Sequence, residues 1–142
     1  VYKAIYNKKI YIYGNDFPTP DGTCIRDYIH IIDICSAIEK STIYLLNSNK
    51  SIVFNIGSHK GLSNNEIVNY VKKAIKKKIN LSYVNRRKGD VSRLICNSNK
   101  IYKTLNWRAK SSNLKKIISD EILWIKKFRS KGLSRTFKNY LK

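Results

Sequence analysis

The sequence has few acids, few glycines and prolines, and no long apolar run, and each shortage excludes something. Six glycines, at positions 14, 22, 57, 61, 89 and 132, never fall into G-x-x-G-x-x-G or G-x-G-x-x-G. Nothing here therefore cradles a pyrophosphate at a helix N-terminus in the dinucleotide-fold manner. Cys24, Cys35 and Cys96 are odd in number and lack C-x-x-C spacing, which argues against a disulfide framework or a zinc site. They read as buried or incidental thiols in a reducing cytoplasm. No stretch of about 18 uncharged apolar residues exists to span a membrane, and the first residues lack the pattern of a signal peptide. The reading is a soluble, cytoplasmic protein without membrane contact. The chain opens on Val1, which points to a natural chain that begins earlier.

What is abundant is positive charge. Among 142 residues, 29 Lys and Arg face nine Asp and Glu, a formal net charge of +20, which is the usual footprint of a partner rich in phosphates. Residues 1–39 hold four basic and five acidic groups, hence −1, which leaves +21 for the remainder. Only seven of the basic residues are Arg, whereas phosphate forks favour Arg. Lys, Ile and Asn share AT-rich codons, so a base-composition bias is the simpler explanation. A basic nucleic-acid-binding protein stays open as the reading from another class. The 42% hydrophobic content is that of a globular chain.

Along the chain, residues 1–6 have the look of a helix end and IYIY at 10–13 of a short strand. GNDFPTPDGT at 14–23 holds both prolines and two of the glycines, a turn-rich loop that positions something. Cys24 to Arg26 suit a brief strand. Asp33 is expected to cap a helix to about Leu46, with Ile34, Ile38, Ile43 and Leu45/Leu46 on its apolar side. The run IVFNI at 52–56 reads as a strand covered on both faces. Ser63 is expected to cap a helix over Asn64 to about Lys77, with Ile67, Val68, Val71 and Ile75 inward and the lysines of 72–78 solvated. A strand at 80–84, a helix around 98–105 and a last helix started by Ser112, with Leu114, Ile117, Ile118, Ile122 and Ile125 along one side, complete the pattern. Residues 129–142 read as a basic tail. No internal repeat or linker divides the chain.

Two constellations carry chemistry: RDYIH at 26–30 and RRKGD at 86–90. Arg presents a planar fork of donors that suits phosphate oxygens, while Asp accepts from vicinal sugar hydroxyls; a nucleotide sugar offers both. The plain alternative is that Arg26–Asp27 and Arg87–Asp90 neutralise one another at loop ends. His30 reads as structural, with no Ser, Cys or carboxylate constellation around it.

The segment IYIYGNDFPTPDGTCIRDYIHIIDI resembles the corresponding stretch of the UDP-glucose 4-epimerases, or UDP-galactose 4-epimerases, of the extended short-chain dehydrogenase/reductase superfamily. The likeness continues through FNIGSHKGLSNNEIV, RRKGD and KTLNWRAK, to about residue 127. None of the ten tyrosines is followed four positions later by Lys, so the Tyr-x-x-x-Lys of those enzymes is missing along with the glycine fingerprint. The resemblance thus implies a mixed α/β fold, the C-terminal substrate-binding part of the superfamily fold without the N-terminal Rossmann core. It divides the chain into a UDP-sugar-binding domain at 1–128, in which elements about 31–56 would pack on a missing Rossmann domain, and the tail at 129–142.

By the same resemblance Arg26 and Arg87 match the arginines on the UDP diphosphate, and Asp90 the carboxylate on the uridine ribose. Tyr28 matches a tyrosine at the nucleotide pocket. Tyr11 and Tyr13 fall on the strand bordering the uracil. Asn64 falls where the family often has an apolar residue beside the nucleotide, and Leu94 where some members have Tyr. The complete enzyme is expected to interconvert UDP-glucose and UDP-galactose through an NAD-bound 4-keto intermediate, as a homodimer. The chain alone is expected to be inactive. A related UDP-sugar epimerase or dehydratase is the alternative within the family.

Overall fold

A computed structural model describes residues 1–130 of the chain. The elements in order are α1 (Tyr2–Ile5), β1 (Ile10–Tyr13), β2 (Ile25–Asp27), α2 (Ile31–Ser48), β3 (Gly61–Ser63), α3 (Asn64–Ile75), β4 (Leu81–Val84), β5 (Arg93–Leu94), α4 (Asn99–Leu105) and α5 (Leu114–Ser130). β1 and β4 form a parallel pair, with Tyr13 opposite Val84. In a second sheet β2 lies between an antiparallel β3 and a parallel β5, so that Arg26 faces Leu62 on one side and Leu94 on the other.

α3 begins where the sequence says it should. Ser63 Oγ accepts from Glu66 N–H at 3.1 Å while Glu66 Oε2 accepts from Ser63 N–H at 2.6 Å, a capping box that satisfies donors the helix leaves orphaned. The helix lays Val71 against Ala4 of α1 and Ile118 of α5, with Ile67, Ile75, Leu114 and Ile122 packed around them. A second cluster joins Ala37 of α2, Ile101 of α4 and Trp107, backed by Phe54 and Ile56.

α2 departs from the expectation. Its cap is His30, whose Nδ1 accepts from Ile32 N–H at 3.1 Å. With Nδ1 accepting, the ring proton sits on Nε2, 3.1 Å from Asp120 Oδ2. His30 is thus structural, though a carboxylate does stand beside it. Asp33, expected as the cap, is buried and accepts from Lys110 N–H (3.0 Å), Ser111 N–H (2.9 Å) and Ser112 Oγ–H (2.5 Å). That occupies Ser112, and Asn113 instead receives the Lys116 N–H at the start of α5. Nor does the apolar side of α2 face inward. Ile31, Ile32, Ile38, Ile43, Leu45 and Leu46 are all exposed, whereas Asp33 and Ala37 face the interior.

Residues 52–56 form no strand. Phe54 and Ile56 turn toward the Trp107 cluster while Val53 is 78% exposed, so one face is covered and not two. A strand is defined by its neighbour, and no described segment lies beside this one to accept a ladder. The tail expected at 129–142 lies outside the described residues, except that 129 and 130 close α5.

Acid groups hold these pieces together. Burial alone would raise the Asp21 carboxyl; hydrogen bonds donated by Ser63 and Thr23 outweigh it and hold it below the usual range. Such a carboxyl contributes stability that is complete above its unfolded value of about 4 and is lost as pH falls through the lower folded value. The denaturant midpoint should therefore stay level from pH 7 to about 5 and fall below about 4, with a smaller fall in Asp21→Asn. Asp33→Ala, which strands three donors at once, should lower the unfolding free energy by about 2 kcal/mol with an unchanged denaturant slope.

Candidate functional site

β1 and β4 end side by side, and the residues beyond them shape the mouth of a cavity. Tyr11 and Tyr13 are two apart on β1 and share a face, with Ile12 buried between them. After β4 the chain turns through Arg87-Lys88-Gly89-Asp90, and Asp90 N–H donates to the Arg87 carbonyl at 3.2 Å. Gly89, third in the turn, has φ +88°, as a type II turn requires. The turn brings Asp90 onto Arg87, whose Nε donates to Oδ2 at 3.0 Å. Arg87 also lies over the Tyr13 ring, 4.6 Å from its centre, a cation–π contact. Arg26 comes from β2 on the other side, its Nη2 3.8 Å from Asp90 Oδ1.

Lower in the cavity the Tyr28 hydroxyl donates to Asn64 Oδ1 at 3.3 Å, joining the end of β2 to the first residue of α3. Burial pushes the Tyr28 phenol above its ordinary value, against the opposing pull of the Arg26 charge, so the hydroxyl remains a donor at neutral pH. The hydrogen bond to Asp90 raises the Arg87 guanidinium further. Apolar Ile10, Ile12, Ile67, Val68 and Val71 form the wall behind these groups, and the volume of this open cavity is ≈ 410 Å³, within the roughly 300–1,000 Å³ of small-molecule sites.

All seven residues singled out from the sequence, Tyr11, Tyr13, Arg26, Tyr28, Asn64, Arg87 and Asp90, line this one cavity. The pairing of Arg26 with Asp27 does not form. Asp27 turns the other way and accepts from Ser58, His59 and Cys96, leaving Asp90 as the shared carboxylate of both arginines. Ile67, Val68 and Val71, core positions by their helical spacing, also form the cavity wall. Arg86, which the motif leaves without a role, donates from Nε to Asp16 Oδ1 at 2.7 Å. The doubled arginine of RRKGD was the available signal.

A family model described as GDP-mannose 4,6 dehydratase matches residues 2–120. The chain belongs to that family. Among its relatives, the UDP-glucose 4-epimerase of Lacticaseibacillus casei is 42% identical over 113 residues, 80% of this chain and 34% of the relative. The solved UDP-Glc/GlcNAc 4-epimerase from Campylobacter jejuni aligns with a TM-score of 0.78 at 37% identity, covering 88% of this chain and 38% of that one. The UDP-glucose 4-epimerase from Bifidobacterium longum, solved in complex with NAD+ and UDP, aligns with a TM-score of 0.76 at 28% identity, over 89% of this chain and 38% of that one. The chain spans about a third of the length of the curated relatives it matches. The likeness to UDP-glucose 4-epimerases expected from GNDFPTPDGT and RDYIH is met, as is the mixed α/β architecture of a partial short-chain dehydrogenase/reductase fold.

In this member of the GDP-mannose 4,6 dehydratase family two glycines bracket the cavity mouth with positive φ, and they should respond differently to a methyl group. A Cβ at Gly89 would meet nothing within 4 Å, so Gly89→Ala should cost only the backbone strain of about 1 kcal/mol. At Gly14, φ +81°, a Cβ would lie 2.3 Å from the Phe17 ring and 2.8 Å from Arg86 Cγ. Gly14→Ala should therefore cost clearly more than Gly89→Ala in chemical denaturation.

Proposed function

We propose that the chain is the UDP-gripping, C-terminal portion of a UDP-glucose 4-epimerase, the complete enzyme interconverting UDP-glucose and UDP-galactose. The observation that carries this reading is the convergence of Arg26, Arg87 and Asp90, from RDYIH and RRKGD, on one cavity lined by three tyrosines. In this reading the two guanidiniums take the diphosphate from opposite sides. Asp90 now receives hydrogen bonds from Arg87; with the forks turned to phosphate, it is free to accept from the ribose diol. Tyr11, Tyr13 and the wall behind them receive the base, and Tyr28 with Asn64 closes the lower end. These groups supply orientation and binding energy, and none of them makes or breaks a bond.

The solved relative from Bifidobacterium longum holds NAD+, and the proposed parent enzyme uses NAD to carry the C4 hydride. The described residues do not fit that dinucleotide. The N-terminus of α3 is closed by Ser63 and Glu66, that of α2 by the His30 ring, and Asn113 takes a donor at α5; no glycine-rich turn precedes any of them. NAD therefore belongs with a cofactor domain outside these residues. The exposed apolar face of α2, together with Val53, is proposed as the surface on which that domain docks. In this reading the cavity grips the UDP moiety that such substrates share, and other UDP-hexoses or UDP-pentoses are the alternative substrates.

Three measurements test the reading. Placed in a complete enzyme, Arg26→Ala and Arg87→Ala should weaken UDP binding by about 3 and about 1.5 kcal/mol, the ends of the range for charge-assisted bonds. Arg87 takes the lower figure because its side chain is 63% exposed against 25% for Arg26. Unchanged affinity in both would refute the assignment. The isolated chain given NAD should show no epimerisation; with the α2 face and Val53 uncovered it should self-associate, and Leu46→Lys with Val53→Lys should shift its sedimentation toward the monomer. Turnover by the isolated chain would contradict the division of labour.

A further inference from the structure

Directly before Arg87 in the chain, Arg86 makes a second set of contacts that the UDP reading does not use. Its Nε donates to Asp16 Oδ1 at 2.7 Å, and its Nη2 donates to the Asp16 carbonyl. Its guanidinium also covers the Phe17 ring, 4.1 Å from the centre, and that ring is buried. An isolated surface ion pair would mean little, since both side chains are largely exposed. Here, however, a planar fork engages a carboxylate, a main-chain oxygen and an aromatic face at once, a combination suited to Arg and not to Lys.

The backbone around this clamp is fixed from below. Gly14 N–H donates to the Val84 carbonyl at 2.8 Å, extending the β1–β4 pairing past Tyr13 toward the arginines. Gly14 then takes φ +81° and brings Phe17 under Arg86 so closely that no Cβ would fit. Arg86 is thus pinned to the 14–17 loop, while its neighbour lies over Tyr13 and reaches Asp90. The Asp16 carboxyl is held below its usual range, chiefly by the hydrogen bond from Arg86.

We infer that Arg86 is a positioning residue: by fastening the end of β4 to the loop after β1, it aims the Arg87 fork at the diphosphate of the ligand. The inference rests on the UDP reading above and adds a residue to it that touches no ligand. It also explains why two arginines stand together in RRKGD: one is held so that the other can point.

The test uses the full 142-residue chain, titrated separately with UDP and with uridine, which lacks the phosphates. Arg86→Ala should weaken UDP about tenfold and uridine less than about twofold, because only the phosphate grip depends on Arg87. In an Arg87→Ala background the same change should cost less than about twofold further, as expected of residues that act through one another. Asp16→Ala should also weaken UDP several-fold, whereas simple removal of a negative charge near a diphosphate would tighten it. If Arg86→Ala does not melt cooperatively, Arg86→Lys supplies the comparison with the charge kept and the fork removed. Additive losses from Arg86→Ala and Arg87→Ala, or tighter UDP binding by Asp16→Ala, would overturn the positioning role with the UDP site intact. A wild-type chain that holds UDP no better than uridine would overturn the UDP assignment and the positioning role with it, and an Arg87→Ala chain with unchanged UDP affinity would overturn the positioning role.

Discussion

The carboxylate of Asp27 is the fastening on which the cavity depends. β3, β2 and β5 have three, three and two residues, shorter than strands that stand by their ladders alone. At the end of β2, Asp27 accepts from Ser58 N–H at 3.0 Å, Ser58 Oγ–H at 2.5 Å, His59 N–H at 3.2 Å and Cys96 N–H at 3.2 Å. It thereby ties β2 to the segment entering β3 and to the segment leaving β5, the two strands that face Arg26. Gly57 makes the approach possible, since a Cβ there would come within 2.6 Å of Asp27 Oδ2. Burial, with the Asp27 charge added to it, pushes the Cys96 thiol up, so that Cys96 contributes packing and a backbone donor more readily than a thiolate.

How legible this was in the sequence depended on how local the cause was. The capping box Ser63 to Glu66 is written within four residues, and α3 starts where that signal places it. Asp33 near a helix start looks like a cap from the same kind of local evidence. Its true partners are 77 to 79 residues away, and no spacing rule reports them. IVFNI has the composition of a strand, but pairing is a property of two segments, and the described residues supply only one. The cavity residues were legible because RDYIH and RRKGD are specific motifs that a family resemblance could place. The Arg86–Asp16 contact lies outside what a motif encodes, because it joins two of them across 70 residues.

The two faces of α2 show the same limit from another side. A helix face rich in apolar side chains is ordinarily a buried one, yet the described residues cover only the face holding Asp33 and Ala37. The inner face is anchored by polar groups, with Asp33 on the 110–112 turn and the Trp107 indole N–H on Ser36 Oγ at 2.8 Å. The outer face carries the bulk of the hydrophobic side chains. The helix is therefore fixed in orientation from within and presents its larger apolar area outward.

The scarcity of acid gives the chain an asymmetric tolerance to change. Seven of its nine carboxylates, all but Glu39 and Glu121, accept named hydrogen bonds from other residues. The lysines of α3, by contrast, cover a solvated surface. Genetic drift that exchanges Lys72 or Lys73 of α3 for another polar residue leaves the joints untouched, while drift at a hydrogen-bonded aspartate removes one. A lineage under mutational pressure can thus rewrite most of its charge without altering the architecture, provided the rarest charged residues stay where they are.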